Sequence, residues 1–494
     1  MKHVAQPEAL TDHTLEQLEE EARKLHATPD QRDGWNRLVQ EYADAFLDKL
    51  PAANAFESKE GMGRRLLDVP IEEEPKQMEQ LLALLHEQVD HNGINPASGK
   101  HFGYVPGGGL FHTGLGDYLA AATNRYAGIF FANPGAVRME NQVLRWMCDM
   151  VGFPETALGN LTSGGSIANL IAITTARDAR GVQAADIYRQ VIYVTNQTHH
   201  CVQKAYRIAG MSEAQIRYIP TDAQFRMNAD LLRQAIAADE RHGLQPFMIV
   251  GSGGTTDTGA IDPLEQMADI AAEHDCWYHV DAAYGGFFML SPDLKEKFSG
   301  IERADSVVID PHKGLFLSYG IGAVLIKDTQ ALFDTHHYTA NYMQDSLAAT
   351  EELSPADLSP ELTKHFRGLR IWLPLQLLGI SPFRAALKEK VLLCRYFYEE
   401  VQKLGFQVGP YPELSIMVYR YVPETGNPDE FNERLVQYVQ DDGRIFVSST
   451  QIEGEYWIRL AVLSFRTHKE EVDLALEVLQ AGVETLLEKQ HTEN

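Results

Sequence analysis

Short apolar runs that alternate with helical patterns place the strongest constraint on what this chain can fold into. Such runs stand at 191–195, 246–250, 277–281 and 306–309. Helical patterns lie between them, at 229–242 and 263–274. Continuously apolar runs of this length are typical of strands that are buried on both faces, as in a parallel sheet. Strands that alternate with helices therefore predict an α/β fold with a large, doubly wound, mainly parallel sheet.

Two flanking segments differ from this central pattern. Residues 1–90 have the spacing of amphipathic helices, whose apolar stripes must pack on something outside each helix. Residues 376–494 mix helical patterns with strand patterns, which predicts a smaller α+β domain. We therefore predict an amino-terminal helical arm at 1–90, a large domain at 91–375 and a small carboxyl-terminal domain at 376–494.

Composition and charge exclude several classes of partner. The 494 residues carry a formal net charge of −26, which argues against nucleic acid and an anionic membrane surface. The chain has no apolar run of the roughly 18 residues that a membrane span needs, and its start lacks the apolar stretch of a signal peptide. The four cysteines show no C-x-x-C spacing, which indicates reduced thiols and no metal site. We expect a cytoplasmic protein.

Three polar features stand where ligands of α/β sheets bind, beyond the carboxyl ends of strands. Lys313 follows the last apolar run, Asp281 ends the run before it, and Gly165-Ser166 opens a helical pattern. A lysine to hold an aldehyde, an aspartate to keep a pyridine nitrogen protonated and a helix amino terminus to take a phosphate make up a pyridoxal phosphate site. Alone, Lys313 fits a surface lysine at a strand end better than a catalytic one, but the combination predicts this cofactor.

Two electrostatic expectations follow for these residues. The amine of Lys313 must be neutral to attack an aldehyde, so we expect burial and nearby positive charge to lower its pKa. Asp281 lies in an apolar strand, where a lone carboxylate is costly. A protonated pyridine nitrogen would offset that cost.

Four motifs give the chain a resemblance to a known family. They are Gly-Gly-Ser at 164–166, Asn-Gln-Thr-His at 196–199, His-Val-Asp-Ala-Ala-Tyr at 279–284 and Asp-Pro-His-Lys at 310–313. From about residue 75 to residue 470 the chain resembles the group II pyridoxal-dependent amino-acid decarboxylases, such as the aromatic amino-acid, tyrosine, glutamate and cysteine-sulfinate decarboxylases. The resemblance implies a fold-type-I enzyme that uses pyridoxal 5'-phosphate and acts on an L-amino acid. It also implies a homodimer across which the amino-terminal arm packs.

The resemblance also assigns cofactor roles to individual residues. It implies that Lys313 binds the aldehyde, that Asp281 holds the ring nitrogen and that His199 stacks on the ring. Further residues implied near the cofactor are Gly165, Ser166, Thr256, Ala283 and His312. By sequence alone, the neighbouring His200 and Thr255 are competitors, and a purely structural role stays open for His312.

Two regions are candidates for substrate binding. In the family the glycine-rich segment at 98–118 lines the substrate pocket, and the aromatic residues that could form its wall are Phe102, Tyr104 and Phe111. The alternative is an ordinary surface loop. Arg459 matches a family arginine near the substrate carboxylate, a contact that suits a guanidinium. A surface arginine on a strand is the alternative there. The aromatic residues hint at an aromatic substrate, but the sequence does not name the amino acid.

The segment at 330–360, which we expect to form a mobile lid, departs from the family. Gln344-Asp345-Ser346 resembles the start of the family's loop, but no tyrosine follows before Pro355. In aromatic decarboxylases of the family a tyrosine there reprotonates the substrate carbon, and its loss is associated with aldehyde formation. Tyr338 or Tyr342 could substitute. We predict a decarboxylase that releases carbon dioxide and the amine, with an aldehyde synthase or another lyase as the alternative and a scaffold without chemistry as a third.

Overall fold

A computed structural model of the chain describes residues 12–58, 61–105, 107–338 and 351–493. The chain divides into two compact units. One consists of residues 1–53 and 58–93, and the other of residues 54–57 and 94–494. The predicted domain boundaries at 90 and 375 stay predictions.

The first unit is helical, as the amphipathic patterns predict. Its helices are α1 (Asp12–Arg23), α2 (Pro29–Lys49) and α3 (Met78–Leu85), with a 3₁₀ turn at Arg64–Asp68 and a π-helical turn at His86–Asp90. The two-residue strands β1 (Phe56–Glu57) and β2 (Gly93–Ile94) stand at the borders between the units along the chain. Thr28 and Gln31 form a capping box that fixes the start of α2. Neither α1 nor α2 fully buries a residue, so their apolar stripes are at most half-covered in the single chain.

Seven strands form the large sheet of the second unit. They are β3 (Leu158–Thr162), β4 (Gln190–Val194), β5 (Gln215–Tyr218), β6 (Gln245–Ser252), β7 (Trp277–Asp281), β8 (Ser306–Ile309) and β9 (Gly322–Ile326). Their order across the sheet is β3-β9-β8-β7-β6-β4-β5. Strands β4 to β8 are parallel, whereas β9 is antiparallel to β8 and β3. The predicted mainly parallel α/β sheet is confirmed, although the sequence did not predict β3 and β9.

Burial on both faces explains why the central strands are continuously apolar. In β4, Ile192 and Val194 pack in one hydrophobic cluster, while Val191 and Tyr193 pack in another. Successive side chains of a strand point to opposite faces, so each face of the sheet has its own core. The helices of this part of the chain are α4 (Phe111–Thr123), α5 (Pro134–Val151), α6 (Gly165–Ala179), α7 (Cys201–Ile208), α8 (Ala229–Arg241), α9 (Leu264–Glu273), α10 (Pro292–Lys295), α11 (Pro311–Gly314), α12 (Thr329–His336) and α13 (Arg367–Leu378).

A second, antiparallel sheet lies in the carboxyl-terminal part of the same unit. Its elements are α14 (Ser381–Lys403), β10 (Phe406–Val408), β11 (Ile416–Tyr421), α15 (Pro428–Asp442), β12 (Ser448–Ile452), β13 (Glu455–Ala461) and α16 (Lys469–Glu493). The strand order is β10-β11-β13-β12, with every pair antiparallel. Phe397, Tyr419 and Leu460 belong to its fully buried core. The α+β character that the sequence predicts is present, with β10 as an additional strand.

Two segments that the sequence analysis discusses as loops contain helical or anchored residues. The glycine-rich segment at 98–118, for which an ordinary surface loop was the alternative, is helical from Phe111, where α4 begins. Within 330–360, residues 351–360 are anchored: Ser354 Oγ accepts a hydrogen bond from the Phe130 amide at 3.0 Å, and Asn160 Nδ2 donates to the Pro355 carbonyl at 2.8 Å. The rest of the predicted lid falls mainly on 339–350, outside the described residues. Among the described helices, none has the length and apolarity that a bilayer crossing requires.

Candidate active site

One cavity brings together all eight residues that the sequence predicts for the cofactor. It lies beyond the carboxyl ends of β3, β7 and β8, and its volume of about 460 Å³ falls in the usual range for small-molecule sites. The eight residues that line it are Gly165, Ser166, His199, Thr256, Asp281, Ala283, His312 and Lys313. Residues from distant parts of the sequence thus converge on one concave site, which is the arrangement that a cofactor needs.

Lys313 lies on the one-turn helix α11 and pairs with a carboxylate that the sequence analysis did not single out. Its Nζ is 3.0 Å from Asp310 Oδ2, and Asp310 is 1% exposed. Burial lowers the pKa of Lys313, but the carboxylates of Asp310 and Asp281 outweigh burial, so the net pKa is raised. The expectation of a lowered pKa was therefore wrong, because the nearest charges are negative.

Asp281 ends β7 and is held by two donors. Its Oδ1 accepts a hydrogen bond from the Ala283 amide at 3.1 Å, and its Oδ2 accepts one from Asn169 Nδ2 at 3.2 Å. The carboxylate is fixed before any ligand arrives and faces the cavity. Ala283 lines the same cavity and is 8% exposed.

The structure separates His199 from its sequence neighbour. His199 lines the cavity, whereas His200 is exposed and is not among the described residues that line it. The Cys201 amide donates to His199 Nδ1 at 3.3 Å, so a neutral His199 carries its proton on Nε2. Burial lowers the pKa of His199, although Asp281 partly opposes this, and the ring is neutral near pH 7.

The turn before α6 has the form of an anion site. Helix α6 begins at Gly165 without a side-chain cap, and Gly164, Gly165 and Ser166 line the cavity, so the uncapped start of the helix borders it. A Cβ on Gly165 would lie 3.1 Å from Asp310 Oδ2, a tight contact that favours a residue without a side chain. An uncapped helix terminus, a fixed carboxylate and a half-buried lysine in one cavity fit the phosphate, ring nitrogen and aldehyde of pyridoxal phosphate.

His312 packs against this turn. A Cβ on Gly164 would lie 3.5 Å from His312 Cε1, and His312 Nδ1 donates to the Ile321 carbonyl. Strand alternation had left open that His312 turns away from Lys313. Because both residues lie in α11 and not in a strand, that alternation does not apply, and both line the cavity.

The comparisons with known proteins agree with this geometry. The family model described as the pyridoxal-dependent decarboxylase conserved domain matches residues 61–422. An aromatic-L-amino-acid decarboxylase from Bacillus atrophaeus is 34% identical over 416 residues, which cover 83% of this chain and 86% of that protein. The chain belongs to the pyridoxal-dependent decarboxylase family.

Two further relatives extend the comparison. A phenylacetaldehyde synthase from Petunia hybrida is 29% identical over 476 residues, covering 91% of this decarboxylase and 93% of the synthase. The crystal structure of Oryza sativa TDC with PLP and tryptamine superposes with a TM-score of 0.87 at 25% identity, covering 93% of this chain and 99% of that one. The predictions of a fold-type-I enzyme, of pyridoxal 5'-phosphate as cofactor and of amino-acid decarboxylation are confirmed.

The predicted aromatic wall of the decarboxylase is not assembled by the single chain. Phe102 is fully buried in the core of the antiparallel sheet and is not among the described residues that line the cavity. Tyr104 and Phe111 are 59% and 48% exposed, and neither is among the described residues that line the cavity. Histidines aside, the aromatic side chains that line it among the described residues are Tyr284 and Tyr319.

The position of Arg459 in the decarboxylase also does not match the substrate contact predicted for it. It is 3% exposed and is not among the described residues that line the cavity. Its Nε donates to the Asp257 carbonyl at 3.0 Å, its guanidinium donates to the Thr256 carbonyl, and Nη1 donates to Ser448 Oγ at 2.6 Å. This pattern describes a clamp that holds the Thr256 segment of the cavity wall.

Sequence reasoning missed several residues of the site. They are Asp310, Asn169, Cys201 and Tyr319, all of which line the cavity. Asp310 stands in a motif that the sequence analysis quoted, and Asn169 follows Gly165 by one helical turn. Helical spacing from the phosphate turn was therefore a usable signal for Asn169. Nothing in the local sequence indicates Tyr319.

Proposed function

We propose that Lys313, Asp281 and His199 carry out the chemistry of this decarboxylase, with Gly165, Ser166, Thr256, Ala283 and His312 holding the cofactor. The observation that carries the proposal is that all eight line one cavity. When bound, pyridoxal phosphate supplies an electron sink for the electrons that remain when carbon dioxide leaves an amino acid. Lys313 Nζ is the amine that binds the aldehyde, and Asp281 holds the ring nitrogen protonated.

His199 and Lys313 are the groups proposed to move protons. His199 Nε2 bears a proton, because Nδ1 accepts the Cys201 amide hydrogen bond. Lys313 Nζ carries a proton that Asp310 holds at 3.0 Å. Either proton can be delivered within the cavity, so return of a proton to the substrate carbon does not require Tyr338. That tyrosine is 91% exposed, and Tyr342 lies outside the described residues.

An aromatic L-amino acid is the proposed substrate. Histidines aside, Lys313 is the one cationic side chain among the described residues that line the cavity, alongside the carboxylates of Asp281 and Asp310. A substrate with a second carboxylate would need a further cation, so this charge pattern disfavours an acidic side chain. Tyr284 and Tyr319 offer aromatic surface instead. The aromatic-L-amino-acid decarboxylase from Bacillus atrophaeus, 34% identical, adds support.

Aldehyde formation is the second candidate function. Two observations favour it: no tyrosine follows Gln344-Asp345-Ser346 before Pro355, and a phenylacetaldehyde synthase is 29% identical to the chain. In this reaction dioxygen and water are consumed, and an aldehyde, ammonia and hydrogen peroxide are released with carbon dioxide in place of the amine. The two functions share the cofactor site and differ in what happens to the carbon after carbon dioxide leaves.

A homodimer is the proposed assembly. Helices α1 and α2 bury no residue in the single chain although they carry exposed apolar residues such as Leu18, Trp35 and Val39. A second copy would cover such stripes. We further propose a cytoplasmic location, which is supported by four free and buried cysteines.

The experiment that tests these proposals is a screen of the twenty amino acids for carbon dioxide release by purified protein loaded with pyridoxal phosphate. Amine, aldehyde, ammonia and peroxide are measured in each positive reaction, and analytical ultracentrifugation gives the assembly. We expect release from aromatic substrates with the amine as product. Release of carbon dioxide from glutamate alone would refute the proposal of an aromatic substrate. Ammonia and peroxide in amounts equal to the carbon dioxide would show that the protein forms the aldehyde and not the amine.

A further inference from the structure

A chain of hydrogen bonds runs from inside the sheet to the carboxylate that faces the cavity. Trp277 Nε1 donates to Ser306 Oγ at 2.8 Å, and Ser306 Oγ lies 2.8 Å from His279 Nδ1. His279 Nε2 lies 2.9 Å from Asn169 Oδ1, and Asn169 Nδ2 donates to Asp281 Oδ2 at 3.2 Å. His279, Asn169 and Ser306 are each 0% exposed. Buried polar groups of this kind are costly unless every one is paired, and here the pairing ends on Asp281.

The groups at the two ends of this hydrogen-bond network, the Trp277 indole and the Asn169 amide, determine the direction of each hydrogen bond in it. An indole can only donate, so Ser306 Oγ accepts from Trp277 and its own hydrogen is free to donate to His279 Nδ1. At the other end, Asn169 Nδ2 donates both to Asp281 Oδ2 and to the Gly165 carbonyl at 2.9 Å, so Oδ1 must face His279 as an acceptor.

His279 is therefore neutral with its proton on Nε2. Burial lowers its pKa to about 4, although the nearby carboxylate of Asp281 opposes this, and a neutral ring near pH 7 agrees with the hydrogen-bond pattern. A protonated ring would place a second N–H against Ser306 Oγ, whose hydrogen already points at that nitrogen. One arrangement of protons gives every group in this network a partner, so the network fixes the direction of each hydrogen bond as well as the position of each side chain.

Asn169 joins two parts of the site. It lies on α6 four residues after Gly165, and its amide group spans from the carbonyl of the phosphate turn to the carboxylate at the end of β7. The two amide hydrogens of Asn169 therefore fix the relative position of the turn and Asp281. In the proposed complex, the phosphate of the cofactor would contact the turn and its ring nitrogen would contact Asp281.

We propose that Asn169, His279 and Ser306 are positioning residues that hold Asp281 in the orientation and charge state needed to keep the cofactor's ring nitrogen protonated. The inference deepens the proposed function and rests on the role of Asp281 given there. Neutral donors around a carboxylate hold it as an anion without supplying a competing cation. The carboxylate consequently stays available to a protonated ring nitrogen.

The test compares paired substitutions in the holoenzyme. His279→Leu removes the donor to Asn169, whereas His279→Gln keeps an amide N–H where Nε2 lies. Thr175→Val is the matched control, because Thr175 is a fully buried polar residue of α6. Within the described part of the chain its hydroxyl bonds only inside its own helix, to the Ile171 carbonyl at 2.8 Å. The measurements are kcat, KM and the nitrogen-15 resonance of the ring nitrogen in enzyme loaded with labelled cofactor.

We expect His279→Leu to lower kcat about ten- to a hundredfold, as is typical for partners that orient a functional group, with KM nearly unchanged. Its ring-nitrogen resonance should move toward that of an unprotonated pyridine, while His279→Gln and Thr175→Val stay near the parent. In an Asp281→Asn background, His279→Leu should add little further loss, because the two act through one group.

The outcomes separate this inference from the proposed function. If His279→Leu lowers kcat by the same factor in the Asp281→Asn background as in the parent, or leaves the ring-nitrogen resonance in place, the positioning role is overturned and the network is only structural. If Asp281→Asn itself turns over at the parental rate, the proposed role of Asp281 fails, and the positioning role fails with it. If His279→Leu does not fold, Ser306→Ala carries the same three measurements, with a smaller shift in the same direction expected.

Discussion

Replacing Arg459 with methionine tests whether this arginine clamps the cavity wall or binds the substrate. The methionine keeps most of the apolar volume and removes the guanidinium. In the parent, that group donates to the carbonyls of Thr256 and Asp257 and to Ser448 Oγ, while a further contact to the Tyr104 carbonyl at 3.5 Å is weak. Three effective hydrogen bonds are thus lost in Arg459→Met.

The magnitude follows from these three bonds. A hydrogen bond from a charged donor contributes about 1.5–3 kcal/mol, which sets an upper range near 4–9 kcal/mol for three of them. Water can reach part of the loop that carries Thr256 and Asp257, because both residues are only half-buried, so we expect a loss of about 3–5 kcal/mol. In a folding unit larger than about 250 residues, where each kcal/mol shifts the melting temperature by about 2 °C, this lowers the melting temperature by roughly 6–10 °C.

The assay is thermal unfolding of the holoenzyme together with steady-state kinetics. Arg420→Met is the matched control, since Arg420 is also a buried arginine of the small sheet, 8% exposed, and pairs with Glu455 at 2.8 Å. Both variants should lose stability, but only Arg459→Met should release cofactor more easily, because only Arg459 holds the Thr256 wall. A melting temperature for Arg459→Met within about 2 °C of the parent would refute the clamp. A tenfold rise in KM for Arg459→Lys with stability retained would instead support the predicted carboxylate contact.

Three further predictions concern the lysine-bearing turn. Lys313→Ala should lose all turnover and the absorbance of the covalently bound cofactor, and borohydride trapping on another lysine would contradict this. Asp310→Asn should shift the pH dependence of cofactor capture by the apoprotein to lower pH in stopped-flow absorbance, because the carboxylate that raises the pKa of Lys313 is gone; an unshifted profile speaks against this pairing. Gly107→Ala should weaken cofactor retention in dialysis, because the added methyl group would lie 2.2 Å from the His312 carbonyl oxygen. Gly114→Ala is the control, since its methyl group would meet no atom of the described residues within 4 Å, and it should retain the cofactor. Equal retention in the two variants would contradict the close approach at Gly107.

Those features of the fold and the site that depend on a local sequence pattern could be predicted from the sequence. The strands β4, β6 and β8 carry apolar runs at 191–194, 246–250 and 307–309 because both faces of the sheet are covered there, whereas the edge strand β5 carries Gln215 and Arg217 and is only half-buried. Asp281 and Lys313 follow such strands, so the position of the site at the carboxyl edge of the sheet was predictable. His279 precedes Asp281 by two residues, and strand alternation alone places both on one face.

What the sequence could not supply depends on contacts between distant residues. Asn169 meets His279 across 110 residues, and no spacing rule connects a helix position with a strand position at that distance. Phe102 and Tyr104 are two residues apart, yet Phe102 is buried in the small core and Tyr104 is exposed with a left-handed φ of 53°. That left-handed backbone separates the surroundings of two nearby aromatic side chains, and their spacing in the sequence does not reveal it.

The two carboxylates beside Lys313 differ in a way that bears on how the cofactor is captured. Asp281 has both oxygens held by N–H donors, from Ala283 and Asn169, so its position does not depend on the lysine. Asp310 binds Lys313 through Oδ2, and its Oδ1 accepts no hydrogen bond from any described residue. If Lys313 binds the aldehyde as proposed, Asp310 loses its lysine partner while Asp281 keeps both of its own donors. Asp310 holds the free lysine in place and raises its pKa, so on this proposal the amine must leave that carboxylate before it reacts, and Asp310 acts at the step of cofactor capture.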